Sequence, residues 1–217
     1  MNGDKAMKYR ISGNVIRRLP RYIRQLDLLA ASGVEKVSSG ELGTQMSLTA
    51  SQIRQDLNCF GGFGQQGYGY NVRQLRDGIA QALGMDEKLG AIVIGAGNLG
   101  RALLSNFRFE DCGVTLLSAF DVSPDLVGKA INGTLVRHAN DIESFVKLNR
   151  VDVAVLTLPQ SEADAIAEAL VKLGVRGIWN FTGIDLDVAS ADVTVENVHL
   201  SDSMLTLGYY LRSGDKE

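Results

Sequence analysis

Gly95-Ala96-Gly97-Asn98-Leu99-Gly100 has the spacing of a phosphate-binding turn. In such a turn the first glycine allows the sharp bend and the second lets a pyrophosphate approach the backbone. The third lets the following helix pack against the preceding strand. The phosphates then meet unpaired N–H groups at the positive end of the helix dipole. The motif needs a strand before it, a helix after it and an acidic residue about 20 positions on. Asp121, 21 residues after Gly100, closes the apolar run Val114–Phe120 and suits an adenosine ribose diol. Val122 and Ser123 follow it and supply no cation for a 2′-phosphate, which favours NADH and NAD over their phosphorylated forms. Thr157, Leu158 and Pro159, with Asn180 and Phe181, stand at the ends of two later strands and complete the candidate dinucleotide set. A coenzyme A site is the related alternative, because such folds also carry a Leu-Pro turn.

A second chemistry lies near the amino terminus. Ala50-Ser51-Gln52-Ile53-Arg54-Gln55-Asp56-Leu57 places Ile53 and Leu57 four residues apart on a packing face. Ser51, Gln52, Arg54 and Gln55 are left polar, as a helix entering a major groove requires. Arginine can take guanine O6 and N7 together, and glutamine can pair with adenine. Arg18 belongs to a cluster of arginines on the first helix that could meet phosphates. With Ser47 in the preceding turn and Gly67 and Tyr68 in a glycine-rich ribbon, these residues form the candidate interface with double-stranded DNA. The competing reading is a small helical oligomerisation domain, to which the ribbon adds nothing.

These sites need elements to hold them. Val15, Ile16, Leu19, Ile23, Leu26 and Leu29 recur at helical spacing along a first helix interrupted by Pro20. A short helix over 39–46 and a third from Thr49, where Thr49-Ala50-Ser51-Gln52 fits a capping box, are separated by Ser47 and Leu48 alone. Residues 60–70 hold five glycines among aromatics, the makings of a tight β-ribbon. A helix capped by Asn71 then runs to about Leu83. From Leu89 strands alternate with helices: strands over 90–94, 114–120, 151–158, 177–181 and 193–195, and an amphipathic helix over 161–173. That alternation implies a mostly parallel, covered sheet. The last helix, about 202–212, carries Met204, Leu205, Leu207, Tyr209 and Leu211, more apolar surface than a lone terminal helix needs.

Charge divides the 217 residues in the same way. Residues 1–85 hold 11 Lys/Arg against 6 Asp/Glu, net +5, and the remainder 11 against 19, net −8. A basic first third suits a polyanion. The polar start and the short apolar runs predict neither a secretory signal nor a membrane span, and hence a cytoplasmic protein. Cys59 and Cys112 form no metal or disulfide pattern. Cys59 reads as a small apolar residue, and His199 as a hydrogen-bonded structural histidine rather than a catalytic acid. Two functions compete: a DNA-binding sensor of the nicotinamide pool, and a small NAD-dependent dehydrogenase with an amino-terminal oligomerisation domain. Residues 86–217 leave no room for a substrate domain once the strands are assigned, so a non-enzymatic sensor is expected.

The chain resembles the redox-sensing transcriptional repressor Rex family over nearly its whole length. The resemblance rests on Val15-Ile16-Arg17-Arg18-Leu19-Pro20-Arg21-Tyr22, Thr49-Ala50-Ser51-Gln52-Ile53-Arg54, Gly67-Tyr68-Gly69-Tyr70-Asn71, Gly95–Gly100 with Arg101-Ala102-Leu103, Ala119-Phe120-Asp121-Val122, Ile178-Trp179-Asn180-Phe181 and Val195-Glu196-Asn197-Val198. It implies a winged helix-turn-helix domain over 1–85, an α/β Rossmann domain over 86–200, and a carboxy-terminal helix over 201–217 swapped in a homodimer. It also implies repression at operator DNA when NADH is low and release when NADH binds. Arg24, Asn106 and His199 align with the residues that couple ligand to domain closure, where the family carries Arg, Tyr and Asp. Gln55 stands in place of the usual Lys, Gln65-Gln66 in place of a basic pair, and Thr182-Gly183 in place of Ala-Pro. These changes bear on operator affinity and coupling.

Overall fold

The computed structural model describes residues 11–59, 64–65, 69–186, 188 and 192–214, with only the backbone at 64 and 65. The candidates Gly67 and Tyr68, and Gln66, lie outside the described residues. The chain divides into two compact units between Glu87 and Lys88.

The first unit is built on α1 (Gly13–Ala31), which buries Val15, Leu19, Tyr22, Ile23, Leu26 and Leu29. Pro20 lies within it, yet the helix is continuous. The proline faces solvent, where water can serve the carbonyl that loses its donor. Strand β1 (Lys36–Val37) precedes α2 (Ser39–Met46) and α3 (Ala50–Asn58). The α2–α3 corner is tight: a Cβ on Gly43 would sit 2.5 Å from the Leu48 carbonyl, and Ser47 adopts a left-handed conformation at φ 54°. Thr49 accepts from the Gln52 N–H, but the reciprocal half of the expected capping box is not made, because the Gln52 side chain turns to Asp56. The full box is instead at α2, between Ser38 and Glu41. Strands β2 (Gly64–Gln65) and β3 (Gly69–Asn71) pair antiparallel and β1 joins β3, giving a three-stranded wing in the order β1-β3-β2. Asn71 caps α4 (Val72–Ala82) through the Gln74 N–H.

The second unit is a seven-stranded sheet formed by β4 (Leu89–Ile94), β5 (Val114–Asp121), β6 (Ala130–Ile131), β7 (Thr134–His138), β8 (Val153–Leu156), β9 (Gly177–Asn180) and β10 (Thr194–Asn197). The spatial order is β10-β9-β8-β4-β5-β7-β6. Every pairing is parallel except β6 with β7, which make a hairpin at the edge. Without that hairpin strand the order is that of a doubly wound dinucleotide fold. One face packs Ile92, Phe120, Ala154, Leu156 and Ile178 beneath α6 (Ile142–Leu148) and α7 (Gln160–Lys172). The other sets Val93, Ala119 and Val155 against α5 (Asn98–Asn106), Phe107 and Phe109. The chain ends in α8 (Leu200–Ser213), none of whose residues is buried.

Candidate functional site

Parallel strands leave their carboxyl ends in a row, and a crevice opens where neighbouring connections leave toward opposite faces. Here that point lies between β4 and β8, and the turn Gly95–Gly100 springs from it. Gly95 has φ +91°, and a Cβ there would lie 2.6 Å from the Thr157 carbonyl. A Cβ on Gly100 would collide with the Gly95 carbonyl and lie 2.7 Å from Thr157 Oγ1. Gly97 has open space beside it, on the approach a pyrophosphate would take. It is also the N-cap of α5 and offers no side chain to the first turn, so the N–H groups of Asn98 and Leu99 stand ready for an anion.

The Asp121 carboxylate reaches back to this turn. Its Oδ2 accepts from the Ala96 N–H at 2.6 Å and its Oδ1 from the Ser123 N–H at 2.8 Å. Asp121 thus braces the loop, and each oxygen keeps a lone pair for a ribose hydroxyl. Thr157, expected at the ligand, donates its hydroxyl to the Gly95 carbonyl at 2.6 Å and acts as a second brace. Leu158 is partly buried and Pro159 is the exposed N-cap of α7.

Asn180 departs from the expectation of a ligand contact. It is 1% exposed, donates to the Ile184 carbonyl and Asn197 Oδ1, and accepts from the N–H and hydroxyl of Thr182. Both donors and both lone pairs of its amide are used, so it shapes the loop after β9 rather than reading a ligand. Asn197 and Thr182 stand in stretches noted from sequence, but neither is assigned this role there; an asparagine at the same level of two adjacent strands is the signal for the first. Phe181 packs edge-on against Trp179, with ring centres 4.6 Å apart, and Trp179 continues to Phe107 and Phe109. With Ala91, Val114, Val153, Val155 and Cys112, Phe107, Phe109 and Trp179 line an apolar cavity of about 260 Å³. Partial desolvation, with Asp111 beside it, raises the thiol of Cys112, an exposed residue, above its ordinary pKa.

On α3, Ser51, Arg54 and Gln55 are exposed, as is Ser47 in the turn. Arg54 donates to Ser39 Oγ at 3.1 Å. Arg18, expected at a phosphate, instead grips Asp56 with Nε and Nη2, both at 2.7 Å. Gln52, expected at a base, donates to Asp56 Oδ1 at 2.8 Å, and the buried Tyr22 hydroxyl donates to Oδ2 at 3.0 Å. Burial opposes ionisation of Asp56, but the bonds from Arg18, Gln52 and Tyr22 outweigh it and hold the carboxyl below its usual range. Cys59 is half-buried at the end of α3.

Each of the three residues assigned to coupling is described within its own unit. Arg24 is exposed on α1. Asn106 closes the end of α5 on the Ala102 carbonyl. His199, the N-cap of α8, meets Asp185 through Nε2 at 2.9 Å, and this hydrogen bond raises its pKa. Among the described residues no cluster of His, Cys, Asp or Glu could hold a metal ion.

Comparison with known proteins agrees with both units. The family model "CoA binding domain" matches residues 86–184, and "Putative DNA-binding protein N-terminus" matches residues 10–58. The chain is 49% identical over 201 residues to the redox-sensing transcriptional repressor Rex of Caldanaerobacter subterraneus subsp. tengcongensis, covering 93% of this chain and 89% of that one. It is 45% identical over 209 residues to the Rex of Clostridium acetobutylicum, covering 96% and 97%. The crystal structure of RSP in complex with beta-NAD+ and operator DNA matches with a TM-score of 0.87, 48% identity and 94% coverage of each chain. That of RSP in complex with beta-NADH matches with a TM-score of 0.86 at 43% identity, covering 95% of this chain and 97% of that one. The chain belongs to the redox-sensing transcriptional repressor Rex family.

Proposed function

We propose that this chain binds operator DNA through α3 and the wing, binds NADH at the β4–α5 turn, and releases DNA when NADH is bound. The observation that carries the reading is the turn itself: an uncapped helix start beside Gly97, with Asp121 braced against it. The comparison with RSP, solved with operator DNA and with NADH, supports the same pairing of ligands. Coenzyme A fits the site less well. Its adenosine carries a 3′-phosphate, which the Asp121 carboxylate would repel, whereas a free ribose diol can donate to it. Family membership also argues against the dehydrogenase reading.

The working form is a cytoplasmic homodimer. Leu200, Met204, Leu205, Leu207, Tyr209 and Leu211 are each more than half exposed along one short helix, a surface that a second copy would cover. Among the described residues no helix is long and apolar enough to cross a membrane. The test is selection of duplexes from a random pool, followed by electrophoretic retention with and without NADH. Retention of a specific duplex, reversed by NADH and not by NADPH, supports the reading. Retention indifferent to NADH, or steady consumption of NADH with a small carbonyl substrate, contradicts it.

A further inference from the structure

The carboxylate of Asp56 is buried completely, on the same helix that presents Ser51, Arg54 and Gln55 to solvent. Three side chains converge on it. Arg18 supplies a two-point grip from α1, Tyr22 a buried hydroxyl from the next turn of α1, and Gln52 an amide from one turn earlier on α3. Four hydrogen bonds to one carboxylate use its capacity in full. We propose that Asp56 is a positioning residue for DNA reading: it fixes α3 against α1 and locks the Gln52 amide in one orientation, so that Gln52 presents its remaining acceptor and donor to a single base pair while Arg18 serves Asp56 rather than a phosphate.

The physical argument is one of pre-organisation. A free glutamine on a helix surface samples many rotamers and must be ordered when it meets a base, at an entropic cost. Gln52 is already ordered, because one N–H is committed to Asp56 Oδ1 at 2.8 Å. Its second N–H and its carbonyl oxygen remain, one donor and one acceptor held in a single orientation for a base edge. An untethered glutamine could turn either group to whichever base edge it meets. The Arg18 grip is likewise specific to a planar guanidinium. A lysine keeps the charge and could still meet a phosphate, but cannot hold both carboxylate oxygens in that geometry.

The proposal rests on the DNA-binding reading, and the experiment separates the two. A duplex selected by the unmodified chain is varied one base pair at a time, and retention is measured for the parent, Gln52→Ala, Asp56→Asn, the double variant and Arg18→Lys. If the parent selects no duplex, the DNA-binding reading fails. If it selects one, Gln52→Ala and Asp56→Asn should relax preference at the same base pair, each by roughly tenfold. The double variant should be no worse there than either single change, as expected of residues acting through one network. Arg18→Lys, which keeps the charge, should relax that same position and leave the slope of affinity against salt unchanged, and it serves if Asp56→Asn does not fold. Loss of a phosphate contact would instead weaken all duplexes alike and lower the salt slope by about one unit. Effects of Gln52 and Asp56 at different base pairs, additive losses, or a parent-like Arg18→Lys would overturn the proposal.

Discussion

Replacing Asp121 by alanine should weaken both the empty protein and its ligand complex, for separable reasons. Without ligand the carboxylate accepts two backbone N–H groups, from Ala96 and Ser123. Hydrogen bonds to an ionised group contribute about 1.5–3 kcal/mol each, and a buried donor left alone costs about 1–3 kcal/mol. Ala96 is fully buried, so its N–H has no ready access to water after the change. Allowing for relaxation at Ser123, Asp121→Ala should destabilise the second unit by about 2–4 kcal/mol. Asp121→Asn keeps one acceptor and should cost less. The protein's single tryptophan, Trp179, lies in this unit, so urea unfolding followed by its fluorescence reports on that unit. Calorimetric titration should show NADH binding reduced about 10- to 100-fold, the value of one hydrogen bond between a ribose and an ionised group. The preference for NADH over NADPH should shrink, because the repelling charge is gone. Stability within about 0.5 kcal/mol of the parent would refute the brace, since surface changes without a structural role fall in that range. Unchanged NADH affinity would refute the ribose contact.

Other expectations follow from the same geometry. Arg54→Ala should abolish discrimination between selected and random duplexes, costing about 1–3 kcal/mol per half-site, as read by competition binding. Asp185 holds the His199 imidazolium above the ordinary histidine range, so their contact is complete below about pH 6.5 and fades as pH rises through the raised value. Asp185→Asn should move the NMR titration midpoint of His199 downward, and a stationary midpoint would exclude the pair. Introducing glutamate at Leu205 and Leu211 should convert a dimer to monomers in sedimentation, whereas unchanged mass would remove α8 from the interface. Asn106→Tyr combined with His199→Asp should enlarge the ratio of operator affinities without and with NADH at nearly constant NADH affinity. An unchanged ratio would show that these positions do not carry the coupling.

What could be read from sequence follows from the physics of each signal. The α1 stripe and the glycine spacing at residues 95–100 impose periodicities or steric demands that only one local structure satisfies. Strand β1 has two residues and leaves no periodicity to find. The β6–β7 hairpin did carry a signal, since Asn132 and Gly133 both take positive φ in the manner of an Asn-Gly turn. Helix α6 leaves little to read, since its seven residues show barely two turns of pattern. Residue roles were harder than elements. Arg18, Gln52, Thr157 and Asn180 have the polar groups a ligand site needs, but in each case some or all of those groups are committed to the protein. Sequence gives the inventory of donors and acceptors; only the fold shows which are already engaged.

NADH and DNA are coupled through one chain in the proposed switch, a claim that thermodynamic linkage can test. The dissociation constant of NADH is measured by calorimetry for the free protein and for the protein saturated with its selected duplex. Coupling between two binding sites is reciprocal. The duplex should therefore weaken NADH by the same factor by which NADH weakens the duplex. Equal NADH affinity in the two forms would contradict the claim, however tightly each ligand binds alone.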